Sequence, residues 1–156
     1  MKIFLAFAAL IGLGVALLLS MSSMKFDPIA ESQVRGQVIY ANSCASCHGV
    51  NLEGQENWRV PNEDGSLPAP PHSIEGHTWH HDDGMLINYT KVGGQQAMAD
   101  LGITDFTSGM PAFGDVLTDE QINDVWAYIK STWTDRERAA QAERTALQAE
   151  ADADDS

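Results

Sequence analysis

The sequence has few basic residues and few cysteines. It contains 9 Lys and Arg against 22 Asp and Glu, a formal net charge of −13. This scarcity argues against nucleic-acid binding, because phosphate contacts require clustered Lys and Arg. The acidic excess is typical of a solvated surface, and it would also suit steering towards a basic patch on a partner protein.

Only two cysteines are present, Cys44 and Cys47, in the stretch "ANSCASCHGV". Two cysteines in an exported chain would ordinarily suggest one disulfide, but these lie two residues apart and are followed at once by His48. No cysteine lies near Ser20 to Ser23, which argues against a lipoprotein.

One long apolar run stands out, the 22 uncharged residues from Ile3 to Met24, preceded by Lys2. As a helix it would measure about 33 Å, enough to cross a bilayer core. Residues 1–24 are therefore predicted to be a transmembrane anchor, or a signal peptide cleaved near Ser20 and Ser22. Either reading exports the rest of the chain, so we expect a single-pass protein of the cell membrane with its domain on the periplasmic side.

Residues 25–134 are expected to form one domain, since the chain is too short for two. Asp27 and Pro28 predict a helix start, and the helix should reach about Asn42 with its apolar positions on one face: Ile29, Val34, Val38, Ile39 and Tyr40. Residues 51–78 have the composition of a loop.

Two further helices are predicted. The first runs from about His80 to Val92, and Gly93 ends it. The second has Thr118 and Gln121 as a capping box, followed by an apolar stripe of Ile122, Val125, Trp126 and Ile129. Residues 135–156 are rich in Ala, Glu and Arg and lack large apolar residues except Leu147. They predict a solvated, fraying helical extension with a disordered acidic tip, with docking to a partner as the lesser alternative.

The arrangement Cys44-Ala45-Ser46-Cys47-His48 is typical of covalent attachment of c-type haem. Two thiols one helical turn apart can each add to one vinyl group of a porphyrin, and His48 then falls beneath the iron as a ligand. A thioredoxin-type dithiol is disfavoured because the motif follows a helix instead of starting one. A structural zinc site would need a distant fourth ligand.

From Pro28 to Trp133 the chain resembles the class I cytochrome c family, in particular small bacterial membrane-anchored monohaem members. The resemblance rests on the helix leading into "CASCH" and on "GMPAFGDVLTDEQINDVWAYIKSTW", which is similar to the family's distal-ligand loop and C-terminal helix. It pairs Gly36 with Val125 and Tyr128 where the terminal helices cross, with Tyr40 and Tyr128 at the corner. It implies an all-α cytochrome c fold of three to five helices and long loops around one covalently bound haem c.

The resemblance also implies a second iron ligand. Met110, in "SGMPAFG", is the expected ligand. Met98, in a predicted loop, is the alternative, while Met85 is expected in the core. A proline carbonyl, of Pro70 or Pro71, is expected to accept from the second nitrogen of His48, and Trp58 and Arg59 are candidates to hold a haem propionate.

Four histidines lie in "PPHSIEGHTWHHDDG": His72, His77, His80 and His81. They could bind copper or zinc as a second metal site, bind a propionate, or serve a structural role. The sequence leaves these alternatives open.

With His and Met ligands the iron has no open site, so the predicted function is one-electron transfer by an electron carrier, not an enzyme. Its partners would be redox proteins at the membrane, with no nucleic acid and no small-molecule substrate. The alternative is a fixed haem c subunit of a membrane oxidoreductase complex. A ligand-binding sensor or peroxidase would require an open iron.

Overall fold

The computed structural model describes residues 27–154, and their regular structure is helical. The α-helices are α1 (Pro28–Ser43), α2 (Ala45–His48), α3 (Asp83–Val92), α4 (Gly94–Asp100), α5 (Asp119–Ser131) and α6 (Asp135–Asp154), and a 3₁₀ helix spans Thr78–His80. In the described part, the extended pairing is an isolated bridge between Ser66 and Thr107. This confirms the predicted all-α class.

The predicted anchor or signal peptide, residues 1–24, lies outside the described residues. Among residues 27–154, no helix has the length and apolar character needed to span a membrane.

Helix α1 begins where the sequence predicts. The Asp27 carboxylate accepts hydrogen bonds from the main-chain N–H groups of Ile29 and Ala30, which lack partners within the helix, and Pro28 occupies the first turn. The helix ends at Ser43, close to the predicted end. It therefore leads directly into the cysteine motif.

The predicted apolar face of α1 is wrong as a core face. The side chains of Ile29, Val34 and Val38 are 65%, 64% and 59% exposed, whereas Gly36 and Tyr40 are buried and Ile39 is partly buried. The buried side of α1 contains Gly36, where the backbones of α1 and α5 approach each other closely. Close approach at Gly36, and not the number of apolar residues, therefore selects the face.

Helix α5 fulfils its prediction. Thr118 and Gln121 form the reciprocal capping box, and Ile122, Val125, Trp126 and Ile129 are buried. These residues join a core that also contains Tyr40, Ala45, Leu52, Leu86 and Trp133. Tyr40 and Tyr128 meet with ring centroids 5.5 Å apart, which confirms the predicted corner.

The segment after α1 and α2 differs from the prediction in two places. The predicted helix from His80 starts only at Asp83, because the Asp82 carboxylate caps it by accepting from the Met85 N–H, and the 3₁₀ helix precedes it. Gly93 ends α3 as predicted, but Gly94 begins α4, so Met98 lies in a helix where a loop was predicted.

The helix predicted for the tail is present, but its first half is packed against the domain instead of solvated. Residues Asp135–Asp154 form one continuous helix, and Glu137 and Gln141 are buried. The Gln141 side-chain amide donates to Asp83 Oδ1 over 2.7 Å, and the Asp83 N–H donates to Thr145 Oγ1 over 3.0 Å. Polar contacts, which apolar patterning does not register, dock α6 against the start of α3.

Candidate haem-binding site

The cysteine motif forms a single helical turn at the end of α1. Cys44 caps α1 by donating its N–H to the Tyr40 carbonyl over 2.9 Å, and the His48 N–H donates to the Cys44 carbonyl over 3.0 Å. Both thiols are free; Cys44 is half-buried and Cys47 is exposed. Burial raises the pKa of the Cys44 thiol to about 11.

His48 is buried beside the loop that follows it. Its Nδ1 lies 2.9 Å from the carbonyl oxygen of Pro70. Burial lowers the pKa of His48, with the Pro70 bond opposing that effect, so the imidazole is neutral at neutral pH. A neutral imidazole that donates from Nδ1 carries its free lone pair on Nε2, the nitrogen available to an iron ion.

The acceptor of the His48 hydrogen bond is the carbonyl of Pro70 and not that of Pro71. Gly54 donates its N–H to the His48 carbonyl over 2.8 Å, and a Cβ atom on Gly54 would lie 2.5 Å from the nitrogen of Pro71 and 2.7 Å from the carbonyl carbon of Pro70. A residue without a side chain therefore lets the proline pair approach the motif. The carbonyl of Pro71 accepts instead from the Thr78 hydroxyl over 3.3 Å.

The segment carrying Met110 is held by its main chain. The Met110 carbonyl accepts from the Gly94 N–H over 3.1 Å, and the Met110 N–H donates to Ser108 Oγ over 3.2 Å. The Gln95 side chain further binds Phe106 and Ser108, with its amide nitrogen 2.9 Å from the Phe106 carbonyl oxygen. The junction of α3 and α4 thus fixes the backbone on both sides of Met110.

The other two candidate methionines lie on helices. Met85 is in α3 and Met98 in α4, and both are partly buried, as Met110 is. The choice of Met110 as an iron ligand stays a prediction, supported by the ordered loop that carries it.

Trp58 and Arg59 belong to a stacked surface array. The Arg59 guanidinium lies 3.9 Å from the centroid of the Trp58 ring, a cation–π contact, and Trp58 stacks on His77 with centroids 5.3 Å apart. His77 in turn meets the edge of His81 at 5.2 Å. A propionate contact for Trp58 and Arg59 stays a prediction.

The four histidines do not converge. His72 points inward, His80 stacks on Trp79 at 3.6 Å between centroids, and His77 and His81 belong to the surface array. Within residues 27–154 no three His, Cys, Asp or Glu side chains are placed to hold a metal ion. The described structure therefore gives no support to the copper or zinc alternative.

His72 is the functional candidate whose role the sequence did not reveal. Its ring stacks on that of His48 with centroids 4.1 Å apart and an interplanar angle of 20°. Burial lowers the pKa of His72 well below its ordinary value, so this ring is also neutral. The one sequence signal was its place two residues after Pro70, the acceptor for His48.

The donor set fits a covalently attached haem. Two free thiols lie on one helical turn, and a buried imidazole has its Nδ1 occupied by Pro70, leaving Nε2 for iron. Met110 would supply a thioether from a loop fixed independently of the motif. These residues could hold a haem with two axial ligands.

Comparison with known proteins agrees with this chemistry. The family model described as Cytochrome c matches residues 33–133, roughly two thirds of the chain. No curated protein and no solved structure matches the chain.

Proposed function

Because the chain belongs to the cytochrome c family and carries covalently bound haem c, we propose that it transfers single electrons with iron ligated by His48 and Met110. Haem c supplies a one-electron couple between ferric and ferrous iron. The protein would act as an electron carrier passing electrons between redox partner proteins, such as respiratory or dehydrogenase complexes and a terminal acceptor.

The observation that carries the proposal is the contact between His48 and Pro70. A hydrogen bond from Nδ1 to a main-chain carbonyl fixes the tautomer and increases the electron donation of Nε2, as it does for histidines that bind metals. Cys44 and Cys47 lie on the same turn as His48. In the proposal they would tether the porphyrin through two thioether bonds, one to each vinyl group, which would hold the iron next to His48.

The thioether of Met110 is proposed as the second ligand. A sulfur ligand favours ferrous iron and raises the reduction potential, and it closes the iron to oxygen and peroxide. The hydrogen bond from the Gly94 N–H to the Met110 carbonyl and the one from the Met110 N–H to Ser108 Oγ support this role, because they fix the loop that carries the thioether.

The location is also proposed. The apolar run from Ile3 to Met24 would anchor the protein in the cell membrane, with the haem domain on the periplasmic side. Asp27 caps α1 only three residues after that run, so the domain would lie close to the membrane surface.

A fixed haem c subunit of a membrane oxidoreductase complex is the second candidate. It is favoured by the end of α6, where Leu147 is 54% exposed on a helix that extends beyond its docked half. Co-purification with an enzyme in fixed ratio after detergent extraction would favour the subunit over the carrier.

One set of measurements tests the proposal on the full chain. Visible spectra of both oxidation states should show a weak red-end band in the ferric protein, which reports an iron–thioether bond. The Met110→Ala variant should lose this band and bind carbon monoxide when reduced, whereas the control Met98→Leu should keep the band and exclude carbon monoxide.

Intact mass completes the test. We expect the mass of residues 1–156 plus one haem, and recovery in the detergent-extracted membrane fraction. A mass lacking the first 20 or so residues would replace the anchor by a signal peptide. A red-end band that survives in Met110→Ala and disappears in Met98→Leu would transfer the ligand role to Met98. Carbon monoxide binding by the wild-type protein would favour a sensor or peroxidase.

A further inference from the structure

The ring of His72 packs against two aromatic rings. It stacks on His48, as described above, and forms a T-shaped contact with Trp126, with centroids 5.5 Å apart. The side chain is 9% exposed, almost as buried as His48 itself. A polar ring thus fills a core position directly against the proposed iron ligand.

The backbone of His72 is fixed at both of its polar groups. Its N–H donates to the Leu52 carbonyl over 2.9 Å, and its carbonyl accepts from the Trp133 indole N–H over 2.7 Å. The first bond joins His72 to the loop after the motif, and the second joins it to the residues just beyond α5. The position of His72 is therefore set by two parts of the chain that are remote in sequence.

The ring orientation is fixed by Thr78. Its hydroxyl lies 3.0 Å from His72 Nδ1 and donates its proton to the Pro71 carbonyl. Because a hydroxyl has one proton, Nδ1 of His72 is the donor to Thr78. Rotating the His72 ring would break this bond inside the core, where an unpaired polar group is unfavourable.

The ring of His48 has two restraints. The hydrogen bond from Nδ1 to the Pro70 carbonyl fixes the tautomer and restrains the ring orientation. A ring stacked on the face of His48 restrains it directly, because rotation would drive the edge of His48 into its neighbour.

We propose that His72 is a positioning residue that, together with Pro70, fixes the ring plane of His48 and keeps the surroundings of that proposed ligand polar. The inference rests on the proposed ligation by His48. A fixed ligand plane holds one electronic arrangement of the ferric iron, and a polar neighbour stabilises the ferric state, which carries one more positive charge than the ferrous state.

Two variants of the full-length holoprotein separate the two effects. His72→Leu removes both the flat ring and its polarity, so the haem-methyl resonances in the proton NMR spectrum of the ferric protein should change their order or spread, and the midpoint potential should rise. His72→Phe keeps a flat ring, so the resonances should stay near their wild-type pattern while the potential rises. The matched control, His80→Leu, changes an exposed histidine that stacks on Trp79 and should alter neither readout.

These measurements separate a failure of the proposed role of His72 from a failure of the proposed function. If wild-type protein lacks a histidine-ligated low-spin haem, the proposed function and this inference both fail. If the wild-type ligation is present and His72→Leu leaves resonances and potential unchanged, the inference alone is overturned. Should His72→Leu not fold, His72→Phe decides, because a resonance pattern as altered as that of a ligand variant, or an unchanged potential, contradicts the proposal.

Discussion

At the scale of single residues, Gly36 determines how closely α1 and α5 can cross. A Cβ atom at this position would lie 1.8 Å from the carbonyl oxygen of Asp124 and 3.0 Å from Cβ of Tyr128. The contact with Tyr128 confirms the predicted crossing, although the nearest group is the Asp124 carbonyl and not Val125. Next to the crossing, the Arg35 guanidinium donates to both carboxylate oxygens of Asp124, over 2.7 and 2.9 Å.

Gly36→Ala should therefore destabilise the domain. Alanine usually stabilises a helix interior by roughly 0.5–1 kcal/mol relative to glycine. Here the added methyl must push backbone away from backbone, and overpacking of this kind costs about 1–3 kcal/mol, so we expect a net loss. Denaturant unfolding of the holoprotein measures the change. The control Gln37→Ala, at the next and exposed position, should stay within about 0.5 kcal/mol of wild type; a Gly36→Ala protein as stable as that control would contradict the close crossing.

At the scale of elements, a buried amide helps to join α6 to the haem domain, in addition to the bond from the Asp83 N–H to Thr145 Oγ1. The Gln141 amide nitrogen lies 2.7 Å from Asp83 Oδ1, 3.1 Å from Thr145 Oγ1 and 3.3 Å from the His81 carbonyl oxygen. Asp83 also pairs with Lys130 of α5. These contacts attach α6 to the same region that carries Thr78, the partner of His72.

Gln141→Ala should loosen α6 from the domain without unfolding the haem core. A hydrogen bond to a charged group contributes about 1.5–3 kcal/mol, and its loss should raise amide hydrogen exchange in α6 and around residues 78–83. The matched control is Gln148→Ala, which removes an exposed amide bonded to Asp152 on the same helix. Equal exchange in the two variants would show that α6 is held by contacts other than Gln141.

At the scale of the whole molecule, acidic side chains outnumber basic ones. Four basic side chains, those of Arg35, Lys91, Lys130 and Arg138, are already in ion pairs with acidic residues. With 22 acidic against 9 basic residues, the whole sequence keeps a formal net charge of −13. Its long-range field should therefore attract cations.

Electron transfer with small reagents should show this field. The rate constant for reduction of the ferric protein by hexaammineruthenium(II), a cation, should fall several-fold as ionic strength rises from 0.01 to 0.15 M, because the Debye length falls from about 30 to about 8 Å. Oxidation by hexacyanoferrate(III), an anion, should accelerate over the same range. A rate constant with the cation that does not change with ionic strength would show that the acidic residues lie far from the haem edge. The acidic excess would then serve only as a solvated surface.

The parts of the fold that depend on near neighbours were predictable. Asp27, Pro28 and the Thr118–Gln121 box act within one helical turn, and the stripe of α5 has a clear helical period. Three features were not predictable: the buried face of α1, the helix α4 and the docking of α6. Each depends on a partner element, namely the backbone of α5, the loop of Met110 and the polar groups at the start of α3.

The sequence by itself determined the chemistry of attachment, because Cys44, Cys47 and His48 lie within one helical turn and their spacing along the chain does not depend on distant residues. It also determined the family, through the same motif and the segment around Met110. Only the tertiary structure decided that Pro70 and not Pro71 accepts from His48, and that His72 stacks on His48 while the other three histidines lie elsewhere. These contacts join residues more than twenty positions apart, and their geometry exists only once Gly54, Thr78 and Trp133 have brought the loop against the motif.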